Sequence, residues 1–325
     1  MVGQEYILID KSVIAEGCAY DFSIFCANKS KSKVECIKRK GLIVQSDDII
    51  VFDKRNDLYV SKSEHFAYKN FYKSHLYKNV RELNKRKNHS VERDNTPLTF
   101  TQKVEVMYQN ASKALNELFN NPETLNNYNE SKSIVNELVD SVLDSDFAIE
   151  SLMCIATHDY YTHTHSINVA IYALSLGTFL GYSEEELREL GEAALLHDLG
   201  KSKISSAIIN KDGPLTKDEF EIMQRHPVSG VSIGLQLGIK NKKILDGIKY
   251  HHEKIDGSGY PDGLYKNDIP MYAQIICLCD IFDALTSHRS YKKAMTSFEA
   301  LKLMKVEMNK HIDVKLLNKM ILMFR

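Results

Sequence analysis

The histidines of this chain are unevenly spread. Of twelve, eight fall between His158 and His288. His165 opens an apolar stretch, THTHSINVAIYAL, and His197-Asp198 closes another, AALLHDLGK. His226 stands before a proline in MQRHPVSG. His251 and His252 end ILDGIKYHHE, and Asp280 interrupts the apolar run IICLCDIFDAL. Taken singly, each has an ordinary reading as a helix cap or a satisfied core group. Taken together, five histidines and two aspartates turned into one core are costly to bury without a common partner. A pair of divalent metal ions is such a partner. It takes neutral imidazoles and carboxylates and needs no thiolate, and helical bundles gather such ligands from separate helices.

The pair His197-Asp198 has a logic of its own. Neighbours on a helix point about 100° apart, so both reach one site only if that site lies at the helix terminus. A carboxylate between two cations can bridge them. Two ions roughly 3.5–4 Å apart can clamp both the attacking and the leaving oxygens of a phosphoryl displacement. A tightly specified loop follows the double histidine: HHEKIDGSGYPDG, His251 to Gly263. Gly257 and Gly259 permit backbone conformations that other residues resist, and Pro261 stiffens the exit.

The elements that must carry these residues follow from the patterning. The first 62 residues read as β: YILI, DFSIFCA, KVECIKR, GLIVQ, DIIVFD and LYVS are short β-rich runs between turn signals. They predict a small antiparallel sheet or barrel of about five or six strands, with neither a nucleotide fingerprint nor a metal cluster. A basic, aromatic and then polar stretch, residues 63–97, reads as a solvated helix leading into a linker rather than a nucleic-acid surface. Beyond Pro97 the spacing is helical almost to the end. Segments 100–120 and 131–157 predict connecting helices. Ser183 to Glu186 and Thr216 to Glu219 are capping-box patterns, and Gly200 is a candidate helix stop. The resulting fold class is a two-domain chain, a small mainly-β N-terminal domain followed by an all-α domain. The division is 1–95 for a β-rich regulatory or sensory domain with its basic linker, 96–145 for connecting helices, and 146–325 for the helical domain.

Bulk properties narrow the function classes. The chain has 325 residues and a formal net charge of −1. No charge excess points to a nucleic-acid polymer or an anionic membrane. No apolar run approaches the roughly 18 residues of a membrane span. The N-terminus, MVGQEYILIDKS, lacks a basic region followed by a long apolar one, so the expected location is the cytoplasm. Six cysteines without a CxxC pair read as free thiols. Cys277 and Cys279 sit in an apolar helical run as small buried residues.

Five motifs in order resemble the signature of the HD-GYP domain, a subgroup of the HD phosphohydrolase superfamily. They are HSxxV (His165 to Val169), HDLGK (His197 to Lys201), HP (His226-Pro227), HHExxDGxGYP (His251 to Pro261) and DxxDAL (Asp280 to Leu285). HD alone is a weak signal, whereas the ordered set is highly specific and covers about residues 146 to 325. The resemblance implies an all-α bacterial phosphodiesterase that hydrolyses cyclic di-GMP to pGpG and onward to GMP at a two- or three-metal centre of iron or manganese. Carried over residue by residue, it assigns one ion to His165, His197, Asp198 and Asp280. The other goes to Asp198, His226, His251 and His252, with Asp198 as the bridge. Tyr260 is placed beside the substrate. SHRSYKKA resembles the family's RPYKxA element, with Ser290 in place of its proline, and implies that Arg289 and Lys292 meet the phosphates. Some relatives carry a glutamate for a third metal where this chain has Tyr161, so two ions, iron in the first instance, are expected. His158 and His163 match no ligand position.

The implied mechanism is hydrolysis of a 3′,5′-phosphodiester by a hydroxide shared between the metals. Lys201, one turn beyond the HD pair, stabilises charge on the phosphoryl oxygens. Two alternatives stay open from the sequence. One is a receptor for cyclic di-GMP without turnover, or a docking module for a diguanylate cyclase through the Tyr260 loop. The other is a hydrolase of another cyclic dinucleotide or of a guanosine polyphosphate. Oligomeric state is also open, a dimer included.

Overall fold

The computed structural model describes residues 5–9, 11, 14–27, 34–54, 57–65, 67, 68, 71, 100–144, 162–287 and 294–324. Its contacts divide the chain into two compact units, Met1–Val104 and Glu105–Arg325. The basic stretch from residue 72 to 97, Cys154, Tyr161, Arg289 and Lys292 lie outside the described residues.

The first unit holds a four-stranded antiparallel sheet. Strands β1 (Tyr6–Ile9), β2 (Ile24–Ala27), β3 (Val34–Lys38) and β4 (Leu58–Ser61) are ordered β1-β4-β2-β3. Ile7 pairs with Val60, and Phe25 with Tyr59. Period-2 burial in β2 sends Ile24 and Cys26 inward. With Phe22, Phe52, Leu58 and Val60 they form an apolar core.

Two of the expected strands are absent among the described residues. DIIVFD lies in helix α1 (Ser46–Lys54). Its four consecutive apolar residues lack the alternation of a half-buried strand. Asp47 and Asp48 favour the N-terminal end of a helix, and Asp48 Oδ2 accepts from the Gln45 N–H at 2.8 Å. GLIVQ is a turn that buries only Val44 and contributes one isolated bridge, Ala19 to Ile43.

The second unit is helical. Helices α2 (Phe100–Asn120) and α3 (Leu125–Asp144) precede α4 (Thr162–Phe179) and α5 (Glu184–Leu196). After a 3-10 turn (Leu199–Lys203) come α6 (Ser206–Ile209), α7 (Lys217–Met223), α8 (His226–Gln236) and α9 (Lys242–Tyr250). α10 (Met271–Thr286), α11 (Ser297–Glu307) and α12 (Val314–Met323) complete it. α4 is the axis of the bundle: α5, α10 and α12 all pack on it. It is buried almost all round, from Thr164 to Gly177, as a helix without a polar face must be.

Both expected capping boxes are present, Ser183 with Glu186 and Thr216 with Glu219, and Thr296 with Glu299 adds a third. Gly200 is not the helix stop. α5 ends at Leu196, and Gly200 lies within the 3-10 turn. A Cβ there would meet the His226 carbonyl oxygen at 1.9 Å and the Gly230 nitrogen at 2.5 Å. Only glycine allows the backbone after His197-Asp198 to lie against the start of α8. Among the described residues, no helix is long and apolar enough to cross a membrane.

Candidate metal centre

Most of the site residues stand at helix ends. His197 caps the C-terminus of α5, and Asp198 begins the 3-10 turn with φ −96° and ψ 1°. His226 is the first residue of α8, His251 caps the end of α9, and His252 follows it. His165 and Asp280 come from within α4 and α10. Close packing of α5 against α4 and α9, and of the 3-10 turn against α8, brings these separate points together.

Three imidazoles are aimed in the same way. Nδ1 of His197, His226 and His251 lies 2.7, 2.8 and 2.8 Å from the carbonyl oxygens of Ala194, Met223 and Ile248. Each carbonyl belongs to the residue three positions earlier. A carbonyl can only accept, so each Nδ1 carries a proton and each Nε2 is turned inward. Burial pushes the His226 pKa down to about 4 and that of His251 well below the usual range. Both rings are therefore neutral at pH 7. Their Nε2 atoms nevertheless lie 3.2 Å apart. Two lone pairs at that distance, with no proton between them, call for a cation.

Asp198 stands between two groups of nitrogens. Its Oδ1 is 3.3 Å from His226 Nε2 and 4.0 Å from His251 Nε2. Its Oδ2 is 3.4 Å from His197 Nε2 and 3.8 Å from His165 Nε2. Asp198 is 1% exposed, and both its Oδ1 and His197 Nε2 are buried without a hydrogen-bond partner. Burial opposes the charge on Asp198, but Lys201 and then His197 outweigh it and hold the carboxyl well below its ordinary pKa. Lys201 Nζ sits 2.6 Å from Asp198 Oδ2.

Two sets of side chains could each hold a metal ion: Asp198, His226, His251 and His252, and beside them His165, His197 and Asp280. The donor set, imidazole and carboxylate without thiolate, suits a divalent transition metal. The orphaned buried atoms fit that occupant. His165 differs from the other rings. Burial works to lower its pKa, but hydrogen bonds to Asp280 and Asp283 overcome this and push it up to about 10. Its Nε2 lies 3.1 Å from Asp280 Oδ1.

Tyr260 borders this centre. Its ring stacks on His252, with centroids 4.7 Å apart and planes at 29°. Burial pushes its phenol pKa up. The loop is held from beneath by Glu253, whose carboxylate accepts from the backbone N–H groups of Asp262, Gly263 and Leu264 at 2.8, 3.0 and 2.9 Å. Gly257 has φ +78°. Gly259 serves a different need: a Cβ would meet the Lys254 nitrogen at 2.4 Å.

Glu253, Asp283 and Asn168 lie inside the sequence motifs, but the pattern alone assigns them no role. The available signal was their charge or polarity in apolar surroundings. Asp283 also lies three residues after Asp280, on the same face of α10.

The HD domain family model matches residues 115–316. Among curated proteins, the cyclic di-GMP phosphodiesterase PA4108 of Pseudomonas aeruginosa is 39% identical over 180 residues, which are 55% of this chain and 43% of that one. The 3′3′-cGAMP-specific phosphodiesterase 2 of Vibrio cholerae is 36% identical over 159 residues, 48% of this chain and 30% of that one. The chain thus spans less than half the length of either relative. Among solved structures, Bd1817, an HDG"Y"P protein from Bdellovibrio bacteriovorus, is similar in fold. It superposes with a TM-score of 0.59 over 97% of this chain and 98% of that one, at 18% identity.

Proposed function

The chain belongs to the HD domain family, and on that premise we propose that its helical unit is a metal-dependent phosphodiesterase acting on a cyclic dinucleotide, cyclic di-GMP in the first instance. The observation that carries this reading is the Asp198 carboxylate, buried between two clusters of imidazole nitrogens with one oxygen turned to each. His165, His197 and Asp280 would hold one ion and His226, His251 and His252 the other, with Asp198 shared. Iron is the proposed metal, and manganese the second choice. Bound there, divalent ions supply Lewis-acid charge and an activated water at neutral pH.

The chain's own residues supply the rest. Hydrolysis forms a bond from a water oxygen to phosphorus and breaks the P–O3′ bond, and the 3′-oxygen takes up a proton. Negative charge grows on the phosphoryl oxygens as this happens. Lys201, whose ammonium group is within reach of the centre, offsets that charge. Tyr260 keeps its phenolic proton and can donate it to a phosphate oxygen at the mouth of the site. Arg289 and Lys292, implied by the sequence resemblance, would hold the remaining phosphate.

A second substrate, 3′3′-cGAMP, is favoured by the relative from Vibrio cholerae. Both are tested by loading the full chain anaerobically with Fe²⁺ or Mn²⁺ and separating the products formed from each nucleotide. The proposal expects pGpG, then GMP, from cyclic di-GMP at a higher kcat/KM than for 3′3′-cGAMP. The reverse preference would exchange the substrates. Tight binding with no turnover at full metal content would make the protein a receptor.

A further inference from the structure

A line of buried hydrogen bonds runs from His165 away from the metal centre. His165 Nδ1 donates to Asp283 Oδ2 at 2.7 Å. Asp283 Oδ1 accepts from Asn168 Nδ2 at 3.0 Å and from the Ser287 hydroxyl at 2.9 Å. Asn168 Oδ1 accepts in turn from the Tyr108 hydroxyl at 2.7 Å. Asn168 and Asp283 are fully buried, and Tyr108 is 8% exposed. Tyr108 belongs to α2, within the segment that the sequence reads as merely connecting.

Each link fixes the next. The Tyr108 hydroxyl, donating to the amide oxygen of Asn168, turns that amide's N–H group toward Asp283. Asp283 Oδ2, as the acceptor, obliges His165 to carry a proton on Nδ1 and to face the centre with Nε2. A carboxylate behind an imidazole ligand fixes its tautomer and raises its basicity. His197, His226 and His251 lean on neutral backbone carbonyls instead. The two groups of ligands are therefore supported differently, and only the His165 side is tied to α2 through this line.

We propose that Tyr108, Asn168 and Asp283 are positioning residues that set the affinity of the His165–His197–Asp280 group for its ion, independently of the other group. This rests on the two-metal reading given above. It makes α2, a helix without a metal ligand or a signature motif, a determinant of whether the centre holds one ion or two.

The test is a Co²⁺ titration of the full chain, followed by visible absorption and by competition with a chelator. Asp283→Ala should weaken one of the two ions by about 10- to 100-fold, as loss of a carboxylate behind a ligand does. Tyr108→Phe keeps the ring and should weaken the same ion by about 2- to 10-fold, the scale of one hydrogen bond. Asp283→Asn keeps an acceptor for His165 and should fall between wild type and Asp283→Ala. Tyr128→Phe removes another buried hydroxyl, bonded to Glu192 at 2.6 Å, and should leave both ions at wild-type affinity. Should Asp283→Ala fail to fold, Tyr108→Phe and Asp283→Asn carry the test. Unchanged affinities in the relay variants, equal weakening of both ions, or the same loss in Tyr128→Phe would overturn the proposal. A wild-type protein that binds fewer than two ions would overturn the two-metal reading first, and the relay with it.

Discussion

The two units bury different kinds of residue. In the described part of Met1–Val104 the core is aliphatic and aromatic: Phe22, Ile24, Val44, Phe52, Leu58, Val60 and their neighbours. Every buried histidine, carboxylate, asparagine, serine and threonine among the described residues lies in Glu105–Arg325. Burial of an ionisable group costs stability unless it is paired. An apolar core such as that of the first unit carries no such cost. The second unit sets seven ionisable side chains around one point, and two of their atoms lack any hydrogen-bond partner there. Such an arrangement marks a place kept for chemistry rather than for stability.

Substitutions can sharpen this contrast. Phe22→Ala should produce the largest stability loss, about 3–5 kcal/mol for a buried aromatic, confined to the β unit. Chemical denaturation followed in parallel with metal analysis should show that loss without a change in bound metal. A fall in metal content would mean that the two cores are not separate. Lys201→Ala should do the reverse. We expect kcat to fall by roughly 100-fold, the effect of removing one group that stabilises developing charge, with KM little changed. A rise in KM alone would move Lys201 from the transition state to substrate binding.

Glu253→Gln tests the loop that carries Tyr260. The new amide would face the Leu264 N–H as a second donor, or turn its donor to Asp262 and Gly263. A loss of about 2 kcal/mol in stability is expected, with a higher KM for the dinucleotide. Wild-type stability and KM would show that the loop holds its shape without this anchor. Arg188→Ala is the mildest change. Arg188 joins Glu184, Asn136 and Asp140 across the exposed edge of α3 and α5. Such pairs contribute up to about 1 kcal/mol, and neither metal nor rate should move. A drop in metal content would extend the chemically specialised region to the surface of the unit.

The sequence was most legible where residue type and position coincide. The seven candidate ligands could be named because imidazole and carboxylate stand out within or at the ends of apolar helices, and the structure gathers the other six around Asp198. The capping boxes were equally plain, since Ser183 and Thr216 are followed three residues later by glutamate. Local pattern failed where tertiary contact decides. DIIVFD carries enough β-branched residues for a strand, yet its acidic start and unbroken apolar run suit a helix with Phe52 inward. Gly200 looks like a helix stop in one dimension, and only the approach of the His226 carbonyl reveals its purpose. Tyr108 could not be found at all from the sequence, because 60 residues separate it from its partner Asn168.

The central claim is that one carboxylate serves two ions, and metal stoichiometry tests it most directly. Wild type and Asp198→Ala, purified anaerobically in parallel and shown to be folded by circular dichroism, would be assayed by plasma mass spectrometry. Wild type should hold about two transition-metal ions per chain, as a shared carboxylate between two sites requires. Asp198→Ala should lose both, since the two nitrogen groups face opposite oxygens of that one side chain. A folded Asp198→Ala protein that keeps two ions would contradict the account.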